Sequence, residues 1–321
     1  MKKYICSFLV IIMFIFLING CAREKEEKSV TIADQYGLAY APVQIMKIKN
    51  ILKNNTGNVN IEWKKLANTA AIRESMLAGE VDIGFMAIPP FLIGKDKGMK
   101  WKIITGLSMS PLGLMTYKEK VKTLADIEKN DRIALPQPGS IQHILLAMAA
   151  ERKFGDASRF DNQLVTMAHP DGMNALLSRK EITAPFTSPP YIFKESEAKG
   201  IHQILSGREA IGGKFSFIVG VGTENFHDNY PEIYNAFIKS LNQSINFIKD
   251  NPEKTSSLLT EDYNISQQEI KKYITWPGMK YTNQIRGLDK FITFMKKAGY
   301  IDFKNKDLSQ ILWDIDLYEK Q

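Results

Sequence analysis

The side chains that could do chemistry in this 321-residue chain are few and dispersed. Metal binding draws on His, Cys and carboxylates repeated at ligand spacing. His143, His169, His202 and His227 each lack a second His or Cys at such a spacing, and no calcium-type loop is present. Each reads as a surface or helix-start imidazole, with His143 set apart by its place just after Gly139 and Ser140. Covalent or nucleotide chemistry would announce itself as a Gly-x-Ser-x-Gly elbow, a Walker loop, or Gly-x-Gly-x-x-Gly after a strand. None occurs. Glu80 and Asp82 stand one residue apart, which at a strand start reads as a solvated pair rather than an acid/base couple. The chain is therefore expected to hold no catalytic set, no metal and no cofactor.

What it does carry is a series of loops suited to holding a small molecule. Tyr36 and Tyr40 follow the first expected strand, Asn68 and Thr69 the second, and Ala87-Ile88-Pro89-Pro90 the third. Farther on, Gly139-Ser140-Ile141-Gln142 and Thr187-Ser188-Pro189-Pro190-Tyr191 hold equivalent places. These loops are rich in Tyr, Ser, Thr, Asn and Pro and nearly free of charge. Ser140, Thr69 and Asn68 are also ordinary N-caps that need no ligand, so the signal is the convergence of several loops. Backbone N–H groups at a helix start form a ready anion site, and Gly139-Ser140 is the best example.

Such loops need elements to place them. Residues 30–33, 59–63 and 81–86 read as strands, the second by its period-2 alternation. Helices are expected between them, over 42–53 behind Pro42 and from Asn68 or Thr69 to Gly79. A further helix starts at Pro89. Strand, helix, strand, helix, strand is the order of a parallel sheet with right-handed crossovers. Residues 101–107, 112–117, 133–135, 164–167 and 183–186 read as later strands. A helix from Ser140 carries Ile141, Ile144, Leu145 and Met148 at i, i+3, i+4 and i+7. Residues 215–221 read as a strand returning to the first unit. The tail is helical, with Ile233, Phe237, Leu241, Ile245 and Ile248 on one stripe and Ile285, Leu288, Ile292 and Met295 on another.

The first residues read as a sorting signal. Met1 to Tyr4 give a short basic start, followed by an apolar run of about 14 residues, shorter than the roughly 20 that span a bilayer. Ile18-Asn19-Gly20-Cys21 is similar to a bacterial lipobox, so the expectation is a signal peptide at 1–20, lipidation of Cys21 and a flexible tether over 21–29. The other cysteine, Cys6, falls inside the signal, which leaves no disulfide. The remainder, 44% apolar and 24% charged over the whole chain, is long enough for a large core or two lobes. The net charge, +7 over the whole chain and near +5 once Lys2 and Lys3 are removed, is spread out with no basic–aromatic stretch, which argues against nucleic acid.

Five segments together resemble the solute-binding lipoproteins of ATP-driven (ABC) importers, in the branch serving nitrate, sulfonates, taurine and thiamine-precursor pyrimidines. They are Ala78-Gly79-Glu80-Val81-Asp82-Ile83-Gly84, Lys122-Thr123-Leu124-Ala125-Asp126-Ile127, Pro138-Gly139-Ser140, Ser188-Pro189-Pro190-Tyr191, and Phe294-Met295-Lys296-Lys297-Ala298-Gly299-Tyr300-Ile301. The resemblance implies an α/β, two-lobed periplasmic-binding-protein fold of type II, with two Rossmann-like lobes joined by two crossing strands and closing by hinge motion. Lobe I would comprise 30–113 and 219–321 and lobe II 114–218, with crossings near 114–118 and 216–220. The implied ligand contacts are Tyr36, Tyr40, Asn68, Thr69, Ile88, Gly139, Ser140, Ile141, Gln142, Thr187 and Ser188. The implied partners are a small organic solute, a permease with its ATPase, and the extracytoplasmic membrane face through the lipid; the chain would be a monomer. No arginine occupies a pocket loop, which weakens a bidentate grip on a sulfonate. The cysteine-rich segment of the pyrimidine-making relatives is absent, and the signal argues against an intracellular enzyme on this scaffold; a ligand-presenting surface sensor stays open beside transport.

Overall fold

The structure, a computed structural model, describes residues 28–263, 265–302 and 307–320. The expected signal peptide, Cys21 and most of the tether lie outside the described residues. No helix among the described residues is long and apolar enough to cross a membrane.

Two sheets organise the chain. The strands are β1 (Ser29–Asp34), β2 (Asn60–Lys65), β3 (Ile83–Ala87), β4 (Trp101–Met109), β5 (Gly113–Thr116), β6 (Ile133–Leu135), β7 (Leu164–Thr166), β8 (Ala184–Thr187), β9 (His202–Ser206), β10 (Ile218–Thr223) and β11 (Lys280–Tyr281). The first sheet has the order β11-β4-β10-β3-β1-β2, and the second β7-β6-β8-β5-β9. β1 runs parallel to both β2 and β3, as the strand–helix–strand rhythm predicts. β10 then enters between β3 and β4, antiparallel to both. β5 holds the corresponding place in the second sheet, antiparallel to β8 and β9, while β6 is parallel to β7 and β8.

The chain passes from β4 in the first sheet to β5 in the second over residues 110–112, and returns over 212–217 between the helix Gly207–Ile211 and β10. The first crossing falls just before the expected 114–118 and the second overlaps the expected 216–220 at 216–217, since β5 and β10 already belong to their sheets at Gly113 and Ile218. Short backbone bonds pin them: Gly207 N–H donates to Leu112 O at 2.7 Å, Phe217 N–H to Ser108 O at 2.8 Å, and Ser216 N–H to Arg286 O at 3.1 Å.

Local sequence explains where helices break. The expected helix 42–53 is two helices, Ala41–Ile48 and Ile51–Thr56, parted at Asn50, whose φ of 53° is left-handed. The expected stripe from Ile285 starts a helix only at Leu288, after Gly287 at φ 74°; Ile285–Arg286 instead pairs with Tyr318–Glu319. The long helix Pro231–Asp250 forms as expected and buries Ile233, Phe237, Leu241, Ile245 and Ile248. Phe237 packs against Phe85 of β3 with ring centroids 6.2 Å apart. Full burial of such side chains is worth about 1.5–3 kcal/mol each. One apolar cluster runs across both lobes, joining Ile88 and Phe91 to Ile141, Ile144 and Leu145.

The first sheet also carries the C-terminal segment against β4. Gly106 N–H donates to Asn283 O at 2.8 Å, and a Cβ on Gly106 would lie 2.4 Å from the Gln284 carbonyl oxygen. Backbone cannot rotate away as a side chain can. Gly106→Ala is expected to destabilise the protein by about 1–3 kcal/mol, the usual cost of overpacking, read as a lower urea midpoint at unchanged slope.

Candidate functional site

The carboxyl ends of the strands and the helix starts that follow them surround a cleft of about 660 Å³. From the first lobe come Gln35, Tyr36, Tyr40, Asn68, Thr69, Ala87 and Pro90. From the second come Gln137, Ser140, Ile141, Gln142, His169, Ser188 and Tyr191, with Phe217 and Ile218 from the end of the second crossing and the start of β10. Among the described residues, no Lys, Arg, Asp or Glu lines it. Lys65 stands near the rim, its Nζ 5.3 Å from the centre of the Tyr36 ring.

Helix starts set the polarity. Ser140 caps the helix Ile141–Phe154, its Oγ accepting from His143 N–H at 3.3 Å. Asn68 caps Thr69–Leu77, its Oδ1 accepting from Ala71 N–H at 3.0 Å. The helices Ile88–Asp96, His169–Ser178 and Tyr191–Glu197 also begin at the wall. The first-turn N–H groups of a helix lack intrahelical partners, and a helix start carries about half a positive charge. Converging starts give the cleft a positive potential without a cationic side chain.

The lobe I loop is held from behind. Tyr263 OH donates to Gly37 O at 2.9 Å and Tyr281 OH to Leu38 O at 2.8 Å. Burial raises both phenols above their ordinary values, so both stay protonated donors. Gln35 Nε2 donates to Thr69 Oγ1 and to Phe85 O, each at 3.1 Å, which ties the first loop to the second.

Of the residues singled out from sequence, Tyr36, Tyr40, Asn68, Thr69, Ser140, Ile141, Gln142 and Ser188 come together on the cleft wall. Ile88, Gly139 and Thr187 do not line it. Ile88 is fully buried and turns into the core, leaving the buried Ala87 and Pro90 to line the cleft. Thr187 ends β8 and is likewise buried, next to the carboxyl of Glu195. Gly139 shapes its loop at φ 77°, where residues with a Cβ are strained, and donates its N–H to His143 Nδ1 at 3.0 Å. Asp82 is not simply solvated; its carboxylate accepts from Thr31 N–H at 2.8 Å and braces β1.

The histidines exchange roles. His143, the one distinguished by position, is a buried brace between Gly139 and Asp161, whose Oδ1 lies 3.3 Å from Nε2. His169 is in the cleft. Its Nε2 lies 3.3 Å from Gln142 Nε2, and its ring stacks on Tyr191 at 6.0 Å. Burial pushes its pKa down to about 4, so it is neutral near pH 7. Because the Gln142 amide nitrogen is a donor, His169 Nε2 accepts and the proton sits on Nδ1. Burial acts oppositely on Glu195, pushing its carboxyl up to about 8 against the hydroxyl of Thr187. Gln35, Gln137, His169 and Phe217 were not singled out as contacts from the sequence. Only a helix start at His169 could have drawn attention to that one; the others needed the tertiary structure.

The model of the NMT1-like family matches residues 23–260. An uncharacterised protein of Methanocaldococcus jannaschii is 25% identical over 139 residues, covering 36% of this chain and 96% of its own. The alkanesulfonate-binding protein SsuA of Xanthomonas axonopodis pv. citri, bound to MOPS, superposes with a TM-score of 0.71 at 14% identity, over 91% of this chain and 98% of its own. The periplasmic aliphatic sulphonate binding protein SsuA of Escherichia coli gives 0.72 at 16% identity, over 89% and 92%. The periplasmic nitrate-binding protein NrtA of Synechocystis PCC 6803 gives 0.69 at 13%, over 91% and 87%. The fold is theirs: a mixed α/β chain with two sheets.

His169 generates a pH prediction. Its folded pKa lies below the ordinary value of 6.5, so between the two values the unfolded chain binds more protons and stability rises with pH. Its contribution is complete above about pH 6.5 and is lost as pH falls toward 4. The difference in unfolding free energy between wild type and His169→Gln is expected to shrink over that window. A pH-independent difference would refute a neutral, half-buried His169.

Proposed function

The chain belongs to the NMT1-like family, and we propose that it is the extracytoplasmic solute-binding component of an ABC importer. In this reading it captures a small heteroaromatic or singly anionic organic solute between its lobes and delivers it to a permease, held at the membrane by a lipid on Cys21. The observation that carries it is the cleft itself. Its wall combines rings, carboxamides and hydroxyls with converging helix starts, and no charged side chain lines it among the described residues. Tyr36, Tyr40, Tyr191, His169 and Phe217 suit the faces of a planar ring. Gln35, Gln137, Gln142, Asn68 and Ser188 suit hydrogen bonding along its edge. The free amides of Ile141 and Gln142 suit one negative group, as at other helix N-termini.

A di- or trianion would find no cation to pair with here, and burying such charge unpaired is costly. That favours a thiamine-precursor-type pyrimidine over a strongly anionic cargo, with sulfonate and nitrate as the simplest anions the helix starts could hold. The side chains described on the cleft wall suit binding and release of a guest.

The direct test is a thermal-shift screen of residues 22–321 against pyrimidines, flavins, sulfonates, nitrate and bicarbonate. A ligand at a hundred times its dissociation constant adds about 2.7 kcal/mol of stability. One class is expected to raise the melting temperature. Gln142→Ala should weaken that class about tenfold, the usual order for losing one buried hydrogen-bond partner. No shift with any class would count against the reading, and turnover of a pyrimidine precursor would replace it.

A further inference from the structure

A second cavity of about 680 Å³ lies at the lobe connections and shares no wall residue with the cleft. We propose that it is a separate binding site for a small organic anion, one with a phosphate- or sulfate-like head on a flat apolar body. Its wall is drawn from both crossings and both lobes. Ser110 comes from the first crossing and Lys214 from the second, Arg208 from the second lobe, and Trp276, Lys280 and Arg286 from the first.

The charge is one-sided. Among the described residues, four cationic ones line this cavity and no Asp or Glu does. Arg208 and Lys280 are exposed and form no ion pair among the described residues. Arg286 is paired with Glu319 through one terminal nitrogen, which leaves its Nε buried and without a partner. The hydroxyl of Ser110 is likewise buried and unpartnered. Buried polar groups are nearly always hydrogen-bonded, and leaving one unsatisfied is costly. Here two such atoms belong to residues on the wall of a cavity already ringed with cations. An anionic head seated among these residues offsets the repulsion between the cations. Trp276, which stacks on Phe193 at 4.5 Å, supplies a rigid aromatic wall for the apolar body.

The concave shape and volume suit a small molecule rather than a polyanion, which needs an extended basic face. Contributions from both lobes also mean that any movement between them changes the spacing of Arg208 and Arg286, so occupancy and lobe position are thermodynamically linked.

The probe is 1-naphthyl phosphate, titrated into the full chain by calorimetry, with 1-naphthol as the uncharged control. The expected result is one saturable site whose affinity falls as salt rises and drops at least tenfold in R208A/K280A. Both positions are exposed, and the charge-preserving R208K/K280R variant is expected to retain binding, which separates charge from folding. Gln142→Ala reports on the cleft independently. Binding lost in Gln142→Ala but kept in R208A/K280A would assign the probe to the cleft and overturn the proposal. So would equal binding of 1-naphthol, or no saturable binding at millimolar probe.

Discussion

A helix leaves its first-turn N–H groups without partners inside itself, and in this chain several helices leave them in the same place. Ser140 and Asn68 each take up one such group through a side-chain oxygen. At the helix from Ser140 the amides of Ile141 and Gln142 are left over at the cleft wall, whereas Pro89, Pro90 and Pro170 supply no N–H and Ile192 and Phe193 donate to Ser188 O and Pro190 O. The rest of the arrangement follows from that constraint. Strands must end together, loops must be short and pinned, and cations are unnecessary because backbone dipoles already supply the potential. The tyrosines behind the first loop keep Gly37 and Leu38 in register with the helix start, so the donors are fixed in space before a ligand arrives.

Burial keeps this region free of net charge. Desolvation disfavours the charged form of any ionisable group, and here it lowers His169 and raises Glu195. An imidazole and a carboxylic acid that would both ionise readily in water are held neutral on either side of the Ser188 loop. The charge of a guest would be the dominant one within the cleft, felt against backbone dipoles in a medium of reduced dielectric.

Much of the fold was legible because its signals are local. Alternation in 59–63, the heptad-like stripe from Ile141, and the spacing from Ile233 to Ile248 each specify an element without reference to the rest. The segments carrying the family resemblance fixed the order of those elements. Errors came where a single residue overrides a pattern. Asn50 takes a left-handed conformation inside an otherwise helical run, and Gly287 delays a helix whose apolar period begins earlier. At the cleft, the loops could be named but not the direction of each side chain. Ile88 and Thr187 sit in the right loops but are buried: Thr187 ends a strand, where adjacent side chains point to opposite sides, and Ile88 is the first residue of a helix that turns it into the core. His169 and Phe217 were invisible because their place depends on pairing between distant strands. Neither residue type nor neighbourhood marks them.

The place of β10 has a consequence for the order of events in building the molecule. β3 and β4 are joined by a short helical connection, yet they never pair with each other; β10 lies between them. A chain delivered from its N-terminus therefore holds two open strand edges from about residue 109 until residue 223 arrives, and the whole second lobe must pass in between. Pairings of that sequence separation are slow to form, and open edges are templates for other chains. The lobes look like two bodies, but the first cannot close its sheet until the second has been traversed, so in assembly they behave as a single unit whose central strand comes late.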